Sequence, residues 1–192
     1  MLAVVAALSL QAHPLPAAPA APAGTADPCP VDRRAMLDLG INAFDQDHQG
    51  GWRPLSDRPG CAGAAADLIR DYRTFVLDRI PILYWHEGQL RAEAGQNEEA
   101  ARLMDRTRRA AGDPRAPWWN AYVDATIAFL RGDRAGLVQA RARLAAVPRA
   151  ADWPAGQAWP PNLRVVDGLV ACFGRPYRDA YGTPACLPAA TP

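Results

Sequence analysis

The sequence lacks a net charge of either sign, because its 21 basic side chains are balanced by 20 acidic ones. All of the basic residues are arginines, since lysine is absent from the chain. A formal charge of +1 gives no long-range attraction to a polyanion. We therefore predict binding neither to nucleic acid nor to an anionic membrane surface.

Common catalytic and cofactor-binding motifs are also missing. The chain contains no C-x-x-C pair, no Gly-rich phosphate loop and no G-x-S-x-G elbow. His86 and Glu87 are adjacent, but the second histidine of a metalloprotease helix does not follow them. Only three histidines are available to build a zinc site or a Ser-His-Asp triad. We therefore assign no catalytic residues, no metal site and no cofactor.

One loop resembles the start of a calcium site. Asp45 and Asp47 open a D-x-D-x-x-G pattern that ends at Gly50. The twelfth position of such a loop requires a bidentate glutamate, and here it is Ser56. We interpret residues 45–60 as a polar, Gly/Pro-rich loop without a metal.

The N-terminus resembles a secretory signal. The stretch LAVVAALSLQA is apolar but shorter than the roughly 20 residues that span a bilayer. The basic residues that usually precede such a stretch are missing, so an ordinary apolar N-terminus is the alternative. An even number of cysteines, four, agrees with export. We predict a periplasmic or secreted protein that is cleaved after Ala12.

The four cysteines allow three disulfide connectivities. We favour Cys29 with Cys61 and Cys172 with Cys186, because each pair brackets a single element and its loop. The first bridge closes a loop of about 33 residues, which the chain-entropy model equates with roughly 3 to 4 kcal/mol of stability.

Composition and hydrophobic periodicity divide the sequence into four segments. They are a signal-like segment at 1–12, a Pro/Ala-rich linker at 13–30, a helical domain at 31–175 and a C-terminal tail at 176–192 tethered by Cys186. Apolar residues at i, i+3 and i+4 spacing predict about seven helices in the domain. These are 31–44, 61–76, 81–94, 97–111, 118–131, 133–147 and 162–173.

The helix pair at 81–114 resembles a tetratricopeptide repeat. The residues that carry the resemblance are an aromatic, a small residue, a turn glycine, an alanine and a large apolar residue: Tyr84, Gly88, Gly95, Ala100 and Met104. Glu87, Arg91 and Thr107 depart from the motif, which has apolar, aromatic and small apolar residues there. A second pair around Gly132 follows about 37 residues after Gly95, close to the repeat length of 34. The resemblance implies an all-α, disulfide-stapled array of antiparallel helix pairs, and a generic helical bundle is the alternative.

The resemblance also implies a binding groove. In a tetratricopeptide-like array, the first helix of each pair lines the concave surface. The implied groove residues are Trp85 and Gln89 in the first pair, and Trp119 and Tyr122 in the second. Aromatic rings of this kind can anchor an extended peptide. Alternatively, a further helix or the Pro-rich connector at 148–161 packs over them.

From these patterns we predict a secreted, non-catalytic helical module that binds or scaffolds a protein or peptide partner through the aromatic groove. The alternative is a periplasmic enzyme that acts on a cell-envelope polymer, with carboxylates from residues 45–57 or Glu87.

Mass spectrometry of the protein secreted from its own leader tests the predicted export. We expect a mature chain that starts near His13 and gains four mass units on reduction of two disulfides. An intact N-terminus with four free thiols would contradict the predicted compartment.

Overall fold

The structure, a computed structural model, describes residues 27–76 and 80–187. Within these ranges the fold is all-helical, as predicted, and contains nine α-helices and one π-helical turn. The predicted signal segment and residues 13–26 of the linker lie outside the described residues. The helices are α1 (Arg33–Leu37), α2 (Arg53–Ser56), α3 (Ala62–Val76), α4 (Pro81–Glu93), α5 (Asn97–Asp105), α6 (Ala116–Leu130), α7 (Arg134–Ala145), α8 (Leu163–Ala171) and α9 (Tyr177–Gly182), with the π-helical turn at Asn42–Gln46.

The predicted first helix, 31–44, is divided in two. Asp32 caps α1 by accepting a hydrogen bond from the backbone N–H of Ala35 at 3.0 Å. The helix then stops, and the π-helical turn begins after Gly40, a residue with low helix propensity. This turn directs Phe44 and Asp45 inward, and both are fully buried.

The predicted polar loop at 45–60 is not solvated along its whole length, because part of it packs inside the protein. Trp52 and Leu55 are buried, and α2 forms with Pro54 in its first turn, where the missing N–H costs nothing. Gly51 has a φ of +57°, and a Cβ built there would lie 1.8 Å from the carbonyl oxygen of Phe44. Only glycine fits at this position, because its lack of a Cβ allows the loop to approach the π-helical turn closely.

The central helices lie near their predicted positions. Pro81 is the first residue of α4, and Gly95 takes the left-handed conformation just after that helix. Asn97 is the first residue of α5 rather than its cap, and α5 ends at Asp105, earlier than predicted. The N-cap of α7 is Asp133, as expected, and α6 is buried on most of its surface.

Two disulfides join the cysteines as the spacing favoured, Cys29 to Cys61 and Cys172 to Cys186. The second bridge ties the region after α8 to the chain beyond α9. Gly168 of α8 permits a close approach there, because a Cβ at this position would lie 2.9 Å from the carbonyl oxygen of Ala180. Helix α9 therefore forms within the segment that was predicted as a tail, and it packs against α8 and α4.

The buried apolar residues form two clusters. The first surrounds Phe44 and Tyr72, whose rings stack at 3.7 Å, and it joins the N-terminal segment to α3 and α4. The second surrounds α6 and reaches α5, α7, α8 and α9. Helix α4 contributes to both, with Leu83 and Leu90 in the first cluster and Trp85 in the second.

An ion network fills the interface between α3 and α4. Glu87 is 2% exposed and accepts a hydrogen bond from Arg73 Nε at 2.9 Å. Arg91 lies 3.6 Å from the other carboxylate oxygen and donates to Asp67 at 2.7 Å. Burial raises the pKa of Glu87 above its usual value, even though Arg73 and Arg91 act to lower it. Two guanidinium groups thus accompany this buried carboxylate.

The contact between α4 and α5 depends on Gly88, and its substitution by alanine tests this. A Cβ at Gly88 would lie 2.9 Å from Met104 Cγ and 3.2 Å from the carbonyl oxygen of Ala100. We expect Gly88→Ala to lower the free energy of unfolding by about 1–3 kcal/mol in chemical denaturation. The matched control is Gly63→Ala in α3, where the nearest atom would be 3.8 Å away. That variant should be neutral or gain up to about 1 kcal/mol from helix propensity. Equal effects of the two substitutions would contradict this account.

Candidate functional site

The four predicted groove residues come together on α4 and α6. The Trp85 ring lies 5.0 Å from that of Trp119 and 4.7 Å from that of Tyr122. Trp85 is 3% exposed and Tyr122 is 1% exposed, whereas Trp119 and Gln89 are partly exposed. Trp85, Trp119 and Tyr122 therefore form one aromatic cluster, in which Trp85 and Tyr122 are already covered by protein.

Helix α9 supplies part of that cover. Gln89 Nε2 donates to the hydroxyl of Tyr177 at 3.5 Å, and the Tyr122 hydroxyl donates to that of Tyr181 at 3.4 Å. Burial raises the pKa of both Tyr122 and Tyr177 well above the ordinary value for tyrosine. A peptide groove at this cluster stays a prediction.

An open polar pocket lies next to the cluster, between residues 48–57, α4 and α9. Its volume is about 490 Å³. We call it the His86 pocket. Its lining comprises two histidines, two arginines, two carboxylates, two aromatic residues and three other side chains: His48, Trp52, Arg53, Ser56, Asp57, His86, Gln89, Leu90, Glu93, Arg178 and Tyr181.

A buried carboxylate stands behind His86. Asp45 is completely buried, and its Oδ1 lies 2.7 Å from His86 Nδ1. Trp52 Nε1 donates to the same oxygen at 3.0 Å, and Gln46 Nε2 donates to Oδ2 at 2.5 Å. Arg53 donates to the backbone carbonyl of Asp45 and lies over the Trp52 ring at 4.3 Å. Side chains from the π-helical turn, α2 and α4 therefore hold Asp45 from several directions.

The Asp45 carboxylate is kept ionised. Burial by itself would raise its pKa, but the hydrogen bond and charge of His86, with further hydrogen bonds from Trp52 and Gln46, hold the pKa below its usual value. An ionised carboxylate can only accept hydrogen bonds. In neutral His86, the ring proton is therefore assigned to Nδ1, which leaves the lone pair on Nε2.

His86 lines the pocket, and its side chain is 17% exposed. Its single hydrogen-bond partner within the described residues is Asp45 at Nδ1, so Nε2 is the ring nitrogen that remains for a ligand. Among the residues that the structure describes, the buried side-chain nitrogens and oxygens without a partner are Nε of Arg91 and Nε of Arg109, so Nε2 of His86 is not one of them. A fixed imidazole with one accessible basic nitrogen can accept a hydrogen bond or a proton.

Glu93 is the second unusual group in the pocket. Its side chain is 24% exposed, and its nearest cation is Arg178, with Nε 3.8 Å from the carboxylate. Burial raises the pKa of Glu93, Arg178 opposes this, and the charge of Asp57 adds to the rise. The pocket therefore holds a carboxylate whose charge is only partly compensated.

The carboxylates that were considered for an enzyme lie in three different places. Asp45 and Asp57 belong to the His86 pocket or its wall, whereas Glu87 lies in the ion network of α3 and α4. Asp47 accepts from the backbone N–H of Gln49 in an exposed turn. Among residues 27–76 and 80–187, no three or more histidine, cysteine, aspartate or glutamate side chains are grouped so that they could hold a metal ion.

Sequence reasoning missed the pairing of Asp45 with His86. The two residues are 41 positions apart and belong to no common motif. The one available signal was Trp52, a large aromatic residue in a loop that otherwise reads as polar, because it indicates that this loop packs against the domain.

Comparison of the chain with protein-family models, curated proteins and solved structures finds no match. None of the described helices is both long enough and apolar enough to cross a membrane. The function must therefore be inferred from the chemistry of the pocket.

Substitution of Glu93 by glutamine tests how far the buried charge of Glu93 lowers the stability of the protein. Because folding raises the pKa of Glu93, its ionised form lowers stability above that pKa, while the protonated form at low pH does not. We expect Glu93→Gln to raise Tm at pH 7 and to lose this advantage as the pH falls toward 4. Thermal unfolding followed by circular dichroism measures both. A variant that is less stable than the wild type at pH 7 would contradict the expectation.

Proposed function

We propose that this protein is an exported helical binding module whose ligand occupies the His86 pocket. The observation that carries the proposal is the buried Asp45 carboxylate, which is bonded to Nδ1 of His86, a residue that lines the pocket. Burying a carboxylate is costly, and here three side-chain donors are committed to it. Such an arrangement is typical of a functional site.

We propose a peptide with a free N-terminus as the ligand class. Glu93 can accept hydrogen bonds from an α-ammonium group, since the neighbouring cation Arg178 is 3.8 Å away. Arg178 and the second N–H of Gln89 are donors for a peptide carbonyl, and His86 Nε2 is an acceptor for a peptide N–H. A lining that holds both donors and acceptors suits a peptide backbone better than a purely anionic or apolar ligand.

The proposed architecture is a small tetratricopeptide-like array. Two features support it: the turn glycines Gly95 and Gly132 both have positive φ, and Gly88 permits close contact between α4 and α5. The proposed location is the periplasm or the extracellular space. The two disulfides support it, since such bonds persist in oxidising compartments.

Binding can be tested by NMR with pools of unmodified tripeptides. The indole N–H of Trp52 reports on the pocket, because Trp52 lines it and donates to Asp45. We expect saturable shifts of this resonance with free tripeptides and much smaller shifts with the same pools after N-acetylation.

Two variants sharpen the test. Arg178→Ala should weaken binding about tenfold, since a hydrogen bond to a charged group contributes about 1.5 kcal/mol or more. Arg143→Ala is the matched control, because Arg143 pairs with Asp124 on another part of the surface. Equal binding of acetylated pools, or equal loss in both variants, would contradict the proposal.

A further inference from the structure

We infer that His86 is a catalytic general base, and that the His86 pocket hydrolyses carboxylic esters. This goes beyond ligand binding, and it rests on the proposed function only in requiring that the same pocket admits a small molecule. The geometry that points to it is the Asp45–His86 pair at 2.7 Å, in which Nε2 is the ring nitrogen left free and His86 lines a pocket of about 490 Å³.

Asp45 acts as a positioning residue. Its carboxylate holds the proton on Nδ1, so the lone pair of Nε2 is directed away from the buried side of the ring. When Nε2 takes up a proton, the negative charge of Asp45 stabilises the imidazolium that forms. Trp52 and Gln46 fix the carboxylate in turn, so neither member of the pair is free to rotate.

The reaction is a general-base hydrolysis. Nε2 accepts a proton from a water molecule while the water oxygen forms a bond to the ester carbonyl carbon. The tetrahedral intermediate then breaks its bond to the alkoxy oxygen, and the proton on Nε2 passes to that leaving group. The products are a carboxylic acid and an alcohol, and neither an oxidant nor a reductant is required.

The lining of the pocket selects the substrate class. Gln89 follows His86 by three positions on α4, so the two side chains share one face of the helix. Its amide and the Arg178 guanidinium are among the donors that can serve the oxygen that becomes negative during the reaction. The two arginines of the lining are balanced by Glu93 and Asp57, so the pocket has no excess positive charge for a phosphate or sulfate ester and a neutral carboxylic ester fits best.

The test uses p-nitrophenyl acetate with the full-length, disulfide-bonded protein. We expect His86→Gln to lower the protein-dependent rate about 100-fold, within the range for loss of a general base. His13→Gln is the control for background imidazole reactivity, and it should leave the rate unchanged. Circular dichroism and thermal unfolding establish that each variant is folded.

The Asp45→Asn variant distinguishes a role of Asp45 in positioning His86 from a role in folding alone. With the negative charge removed, the apparent pKa of the pH–rate profile should fall and the rate should decrease. A loss that came only from disturbed folding would not shift that profile. A slower rate in D₂O is also expected, since a proton moves in the transition state.

Two results would overturn the inference. One is a His86→Gln variant that keeps the wild-type rate. The other is an Asp45→Asn variant that is folded but has an unchanged pH profile. Either result leaves the proposed peptide binding standing, because acetate esters lack the ammonium group that Glu93 would hold. Conversely, if the tripeptides do not bind, the rates of the wild type and the variants still decide whether the pocket hydrolyses esters.

Discussion

Burial of the Asp45 carboxylate is the constraint on which the N-terminal half of the structure depends. A charged group with no exposure to water requires donors on its oxygens, and these come from three separate places in the chain. His86 must present Nδ1 from α4, and Trp52 must fold inward from the segment before α2. The positive φ of Gly51 lets this loop lie against the π-helical turn, and the Cys29–Cys61 bridge ties the N-terminal segment to the start of α3.

Helix α9 links the pocket to the C-terminal half. Tyr177 and Tyr181 cover the aromatic cluster of α4 and α6, while Arg178 and Tyr181 form one wall of the His86 pocket. Because α9 has six residues, its own helical propensity cannot hold it in place. The Cys172–Cys186 bridge and the close approach at Gly168 do so instead. The wall of the pocket is therefore stabilised mainly by covalent and packing constraints.

Much of the fold could be predicted from local patterns, but the site could not. Helical periodicity, Pro81 and Gly95 indicated α4, and the sequence spacing of the cysteines indicated both bridges. These signals act within one element or one loop. The pairing of Asp45 with His86 is a tertiary contact across 41 residues, and each residue alone resembles an ordinary polar side chain. Helix α9 was missed for a related reason, since six residues between Pro176 and Thr183 are too few to show periodicity.

Asp45 contacts α4 and Glu87 belongs to it, and both carboxylates are buried. They differ in the groups that surround their charge. Glu87 is accompanied by the guanidinium groups of Arg73 and Arg91, so its charge is neutralised inside the protein. Asp45 has no guanidinium on its carboxylate within the described residues, and Arg53 donates to its backbone oxygen instead. The indole and amide donors hold the charge without cancelling it, and the third donor, the imidazole of His86, is the one that can take up a proton. The charge of Asp45 therefore acts through Nδ1 on the ring of His86, a residue that lines the pocket.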